Sequence, residues 1–217
     1  MDYKKVFGNI NVEPYREVAA RFLPDRIKVL FIFESPPVPP PIHPITGLKD
    51  SNWSYFYRFE TKGSNNLRRE VCSAVFDKKV VDHEKFLYEF CKEGYFIIDS
   101  VNYPINKIIE ENKHKVKLNK KGDVDNKERE KVIYLEANNL IKTIEYWVKK
   151  SDSKLNEIKM LLVKVSVFNG LMIYDNHFKQ KVVDGKYNVL NTNTIPFPMV
   201  PNNKKFIADV RKLLELV

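Results

Sequence analysis

Two cysteines, seven glycines and four histidines in 217 residues exclude much before any pattern is read. Cys72 and Cys91 each fall inside a helical pattern. A metal site would need more ligands at tighter spacing, so the pair reads as buried thiols rather than a disulfide or a metal centre. His43, His83, His114 and His177 are scattered, with no carboxylate or cysteine at ligand spacing, and no metal is expected. Neither Gly-x-x-x-x-Gly-Lys nor Gly-x-Gly-x-x-Gly occurs, which disfavours nucleoside triphosphates and dinucleotides, so no cofactor is expected. No run of about 18 apolar residues exists, and the Met-Asp-Tyr-Lys-Lys start leads into no apolar signal region. A cytoplasmic protein with no membrane partner is expected; oligomeric state is not legible.

What is present is a basic surplus. Lysine and arginine total 37 against 28 aspartate and glutamate, a formal charge of +9, which attracts polyanions at long range and makes nucleic acid the expected partner class, DNA before RNA. A well-solvated lysine-rich surface accounts for the same surplus. Much of it is local: residues 112–131, NKHKVKLNKKGDVDNKEREK, are nearly free of large apolar side chains and read as a polar insertion that leaves the core.

Four short apolar runs read as strands: 27–34, 95–101, 159–168 and 187–194. The first and third are near-continuously apolar, as in parallel strands covered on both faces. Helical patterns separate them. One begins at Pro14. Another, capped by Ser64, aligns Leu67, Val71 and Val75, and a third, capped by Asp82 and stopped by Gly94, buries Phe86, Leu87 and Phe90. A long helix over about 127–150 aligns Ile133, Leu140, Ile144 and Trp147, and a last one over 202–216 aligns Phe206, Val210 and Leu213. The alternation predicts one domain over residues 1–217, a three-layer α/β/α sandwich around a central, mostly parallel four-stranded sheet with the first strand interior.

Ligands of open parallel sheets bind beyond the carboxyl ends of the strands. The first strand ends there on FIFESPPVPPP, with Glu34 followed by five prolines in six positions. Proline fixes φ and leaves little entropy to lose, so Ser35, Pro36 and Pro37 suit a rigid pocket wall, while Pro39 to Pro41 suit a plain surface connection.

FIFESPP, followed about twenty residues later by WSYFY, resembles the first motif of the uracil-DNA glycosylase superfamily, in branches whose strand ends in Gly-Glu-Ala-Pro-Gly. Glu34, Ser35 and Pro36 match its centre, and Phe33 and Pro37 replace its glycines. YFIIDSVNYP resembles the second strand, with Asp99 where the family has a base-reading Asn and Asn102 three residues on. LLVKVSVFNGLM resembles the third strand and following helix. NTIPFPMVPNNKKF, which includes Thr194, resembles the final motif, where Phe197 and Pro198 stand at the His-Pro positions, so the family's electrophilic histidine is missing. Two cysteines also rule out the iron-sulfur cluster of some branches.

The resemblance implies a nucleic-acid-binding protein of this fold, with excision of uracil or a damaged base as the implied activity. A base taken out of the stack must be stacked on aromatics and read on its pairing edge. Tyr55, Phe56 and Tyr57 offer the stacking face, Asp99 or Asn102 the edge reader, and Glu34 a carboxylate to orient or deprotonate water. Lys204 and Lys205, at the start of the last helix, offer phosphate contacts. Three plainer assignments stand beside these: a packed aromatic cluster at 53–59, a loop or cap role for Asp99, and a chain that kept the fold without the chemistry. A small-molecule hydrolase using Glu34 at the same rim is the third function left open.

Overall fold

The computed structural model describes residues 13–37, 55–58, 66–105 and 124–216. The Ser64 cap, the prolines at 39–41 and the insertion up to residue 123 lie outside the described residues.

Four parallel strands, β1 (Val29–Phe33), β2 (Tyr95–Asp99), β3 (Lys159–Leu162) and β4 (Asn188–Val189), form one sheet in the order β2-β1-β3-β4. All five residues of β1 are buried, as an interior strand covered on both faces requires. Among the described residues seven α-helices accompany it: α1 (Glu13–Ala20), α2 (Asn66–Phe76), α3 (His83–Lys92), α4 (Asn126–Lys150), α5 (Val165–Phe168), α6 (Asn176–Val183) and α7 (Asn203–Leu214).

Alternation along β1 assigns the layers. Phe31 stacks against Phe90 of α3 with ring centroids 6.2 Å apart. On the opposite face Phe96 of β2 meets Trp147 of α4 edge-on at 5.2 Å. The sheet is thus sandwiched between helices, the expected α/β/α arrangement. α3 follows its sequence signals closely: Asp82 accepts from the amide of Lys85 at 3.0 Å, Phe86, Leu87 and Phe90 are buried, and Gly94 ends the helix at φ +85°. A side chain at Gly94 would also meet Lys28 Cγ at 2.7 Å and the Arg26 carbonyl at 2.9 Å, so both the dihedral and the space demand glycine there.

Three expectations need correction. The third apolar run is not one strand: β3 ends at Leu162, and after a tight turn residues 165–168 coil into α5, which continues as a π-helical segment over Asn169–Tyr174. The run 187–194 supplies only two ladder residues. Beyond them the side-chain amide of Asn191 substitutes for the backbone, accepting from the Leu162 amide at 2.9 Å and donating to the Leu162 carbonyl at 3.1 Å. A single bridge between Val163 and Ile195 completes that edge. The polar stretch 112–131 is not an excursion throughout. Val124 is buried, Asp125 caps α4 by accepting from the Lys127 amide at 2.9 Å, and Arg129 and Glu130 point inward from its first turns.

Candidate functional site

The parallel register places two carboxylates side by side at the carboxyl edge of the sheet. Phe33 pairs with Asp99, so the residue after β1, Glu34, lies next to the end of β2. The Glu34 carbonyl accepts from the Ser100 hydroxyl at 2.7 Å and the Val101 amide at 3.2 Å, which fixes its backbone. Its side chain points to the α4 face, where three donors converge. Oε2 accepts from Arg129 Nη1 and from Lys164 Nζ, each at 2.6 Å, and Oε1 accepts from the Ser166 hydroxyl at 2.5 Å. Glu34 is 5% exposed and Ser166 fully buried, so these are desolvated, charge-assisted bonds.

Each donor comes from a different piece of chain. Arg129 is delivered by the second turn of α4, its Nε donating to the Val124 carbonyl at 3.1 Å. Ser166 lies in the first turn of α5. Lys164 occupies the turn between β3 and α5 with φ +87° and ψ 143°, a region that residues with a Cβ rarely enter and that costs of order 1–3 kcal/mol. Its amide donates to the Ile195 carbonyl at 2.7 Å and its carbonyl accepts the Phe168 amide at 3.1 Å, so sheet and helix together hold the strained residue over Glu34.

Asp99 differs. Among the described residues no donor lies within hydrogen-bond reach of its carboxyl group. It keeps some accessible surface where it lines the cavity, yet desolvation raises its pKa from 3.8 to about 7, with the charge of Glu34 adding to the shift. The phenol of Tyr55 beside it is raised as well, by burial first and by Asp99 second.

A cavity of ≈ 300 Å³ joins these groups, with Glu34, Asp99, Arg129 and Lys164 in its wall. Ser35, Pro36, Pro37, Tyr55, Phe56 and Phe197 from the sequence-derived set also line it. The proline wall is tied down by α1, whose Tyr15 hydroxyl donates to the Pro37 carbonyl at 2.7 Å. Phe197 meets Phe33 edge-on at 6.0 Å, and the Lys164 ammonium stands 5.9 Å from its ring centre.

Other expected residues are elsewhere. Tyr57 is packed in the core: its hydroxyl accepts from the Ile97 amide at 2.6 Å and donates to the Ile97 carbonyl at 3.0 Å, closing the outer edge of β2. Asn102 lines a smaller cavity of ≈ 40 Å³ behind Asp99 and donates to the Thr143 hydroxyl at 3.4 Å. Thr194 and Lys205 line a separate groove, and Lys204 is exposed at the start of α7. The sequence reading missed Arg129, Lys164 and Ser166. The signal for the last two was a lysine and a serine two apart inside an otherwise apolar run, LLVKVSVF, where buried polar groups require partners.

The fold and this centre define an α/β/α protein with a carboxylate–cation cluster at the carboxyl rim of a parallel sheet. No known protein family, curated protein or solved structure matches the chain. No described helix is long and apolar enough to cross a membrane.

Proposed function

We propose that the protein binds nucleic acid and hydrolyses the N-glycosidic bond of a base swung out of the stack, as uracil-DNA glycosylases do, with Asp99 as the proton acceptor. The observation that carries this reading is the ≈ 300 Å³ rim cavity, in which a carboxyl group with no donor among the described residues shares the wall with aromatic rings and two cations. That volume lies at the small end of ligand sites and suits one base with its sugar rather than a base pair. The bond between base nitrogen and sugar carbon breaks with its electron pair leaving on the base. Water oxygen bonds to the carbon, and the water proton passes to ionised Asp99. A carboxylate near the sugar also favours the positive charge that develops there.

Glu34 has a different part in this scheme. Three donors occupy its oxygens, so it aligns Arg129, Lys164 and Ser166 rather than taking a proton from water. The same saturation supports the second reading, a binding module that kept the cluster as a structural knot.

Incubation with a uracil-containing single-stranded oligonucleotide, followed by alkaline cleavage at abasic sites, tests the proposal. Strand scission is expected, its rate rising as pH passes about 7, where Asp99 ionises, and falling about 100-fold or more in Asp99→Asn. Oligonucleotide binding without scission of uracil, hypoxanthine or alkylated-base substrates would leave the binding module. No binding even at low salt would leave a small-molecule hydrolase.

A further inference from the structure

Asp99 stands between two cavities. It lines the ≈ 300 Å³ rim cavity in front and, behind, the ≈ 40 Å³ cavity to which α1 contributes Ala19 and α4 contributes Thr143. The back cavity also holds polar groups with unused capacity. Thr143 Oγ1 donates to the Asn139 carbonyl at 2.9 Å, so toward Asn102 it can only accept, and the Asn102 amide nitrogen donates to it at 3.4 Å. This fixes the amide's orientation and leaves Asn102 Oδ1 with no donor among the described residues. The Asp99 carboxyl group beside it is in the same position. A buried water needs about two to four polar partners, and ≈ 40 Å³ has room for one to about three waters.

We propose that the back cavity is a water-binding site in which Asn102 is the positioning residue, holding an ordered water against the side of Asp99 turned away from the rim cavity. The water donates one hydrogen to the carboxylate and the other to Asn102 Oδ1, so both open acceptors are met at once. A ring that fills the rim cavity displaces solvent from the front of Asp99 but not from behind it. The carboxylate therefore keeps a hydrogen-bond donor in the occupied site. The water site rests on the two cavities and their polar groups; its value for excision, an Asp99 still able to ionise with a base in place, rests on the reading above.

A donor to the carboxylate favours the charged form, whereas burial has the opposite effect and already raises the Asp99 pKa from 3.8 to about 7. Loss of the water should push it higher still. The charged and titratable groups that share the two cavities with Asp99 are Glu34 after β1, Tyr55, Tyr15 and Arg16 of α1, Arg129 of α4 and Lys164 before α5. None of them is altered by the substitutions below, so a change in titration reports on the back cavity.

The experiment is a carbon-13 NMR titration of the Asp99 carboxyl group, its signal assigned by its loss in Asp99→Asn. Ala19→Val adds two methyl groups at the wall of the back cavity, and Asn102→Leu keeps the volume of the side chain but removes its polar atoms. Each should raise the Asp99 pKa by at least about one pH unit, whereas Asn102→Ser, which keeps a hydroxyl and leaves room for a further water, should stay near wild type. Thermal melting run in parallel shows that each variant is folded, and a crystal structure of the wild type should show density for water between Asp99 and Asn102. In the oligonucleotide assay a rise of one unit makes Asn102→Leu about fivefold slower than wild type at pH 7, with the difference vanishing at high pH, where Asp99 is ionised in both. A folded Ala19→Val or Asn102→Leu with an unchanged Asp99 pKa, an Asn102→Ser that shifts as far as Asn102→Leu, or a dry back cavity would overturn the inference. Absence of excision by the wild type alongside the expected pKa changes would overturn only the excision reading.

Discussion

Glu34 and Asp99 are neighbours with opposite environments, and their substitutions should separate in sign. Glu34 is desolvated but met by three donors; Asp99 is desolvated and met by none among the described residues. Glu34→Gln removes the charge that holds Arg129 and Lys164 together, leaving two cations around an amide whose NH₂ cannot accept. A loss of about 3 kcal/mol in urea unfolding is expected, because breaking a buried pair leaves its partners uncompensated. Asp99→Asn should do the reverse, and only above a certain pH. The native state binds the Asp99 proton more tightly than the unfolded chain, with a pKa of about 7 against 3.8, so wild-type stability declines as pH rises through that window. Below it both states are protonated, and above it the full penalty is present. Thermal melts should therefore show the variant level with wild type near pH 4 and more stable near pH 8. A variant equally or less stable at both values would mean that the carboxylate is stabilised by partners after all.

At the scale of elements, the cluster exists because two helices approach unusually closely. The π-helical segment after α5 places Gly170 against α4, where an added Cβ would lie 2.8 Å from Ile133 Cγ2 and 3.0 Å from the Glu130 carbonyl. Next to it the Asn169 side chain donates to Glu130 at 2.8 Å. That contact brings Ser166 of α5 and Arg129 of α4 to one carboxylate, and π-helical turns recur at such functional positions. Gly170→Ala should cost about 1–3 kcal/mol in urea unfolding. It should also weaken ligand binding by pushing Arg129 and Ser166 apart, and a variant with wild-type stability and binding would show that the helices can give.

The same elements show what the sequence could convey. β1 was legible because five consecutive apolar residues followed by an acid and prolines admit few other readings, and α4 because Ile133, Leu140, Ile144 and Trp147 keep helical period within a helix of 25 residues. The β3–α5 turn was not. Lys164 reaches its positive φ only because Ile195 and Phe168 hold its backbone, and propensity contains no trace of such tertiary support. The rung supplied by Asn191 was hidden for the same reason, since a side-chain amide posing as backbone leaves no periodicity. Ser35, Pro36, Pro37, Tyr55, Phe56 and Phe197 do line one cavity with the two carboxylates, whereas Tyr57 shares their composition and lies in the core.

For the whole molecule the open matter is where the surplus charge acts. The formal charge of +9 is spread along the chain, and Arg129 and Lys164 in the cavity wall are two of its cations. If a polynucleotide is the substrate, surface cations must hold its phosphates while one base enters the cavity, and those contacts release counterions. Lys204 and Lys205, both exposed in the first turn of α7, are the pair to test, because a helix N-terminus adds its own attraction for phosphate. Affinity for a single-stranded oligonucleotide should fall with salt at a log–log slope of roughly −0.7 per neutralised phosphate, and near −0.9 on duplex DNA. Changing both lysines to alanine should flatten that slope by about one to two phosphates' worth and lower affinity evenly across sequences, leaving ring binding of free uracil in the cavity untouched, since neither residue lines it. A double variant with an unchanged slope would place the phosphate track on another face. An unchanged slope combined with altered ring binding would mean that α7 acts on the cavity through packing rather than through charge.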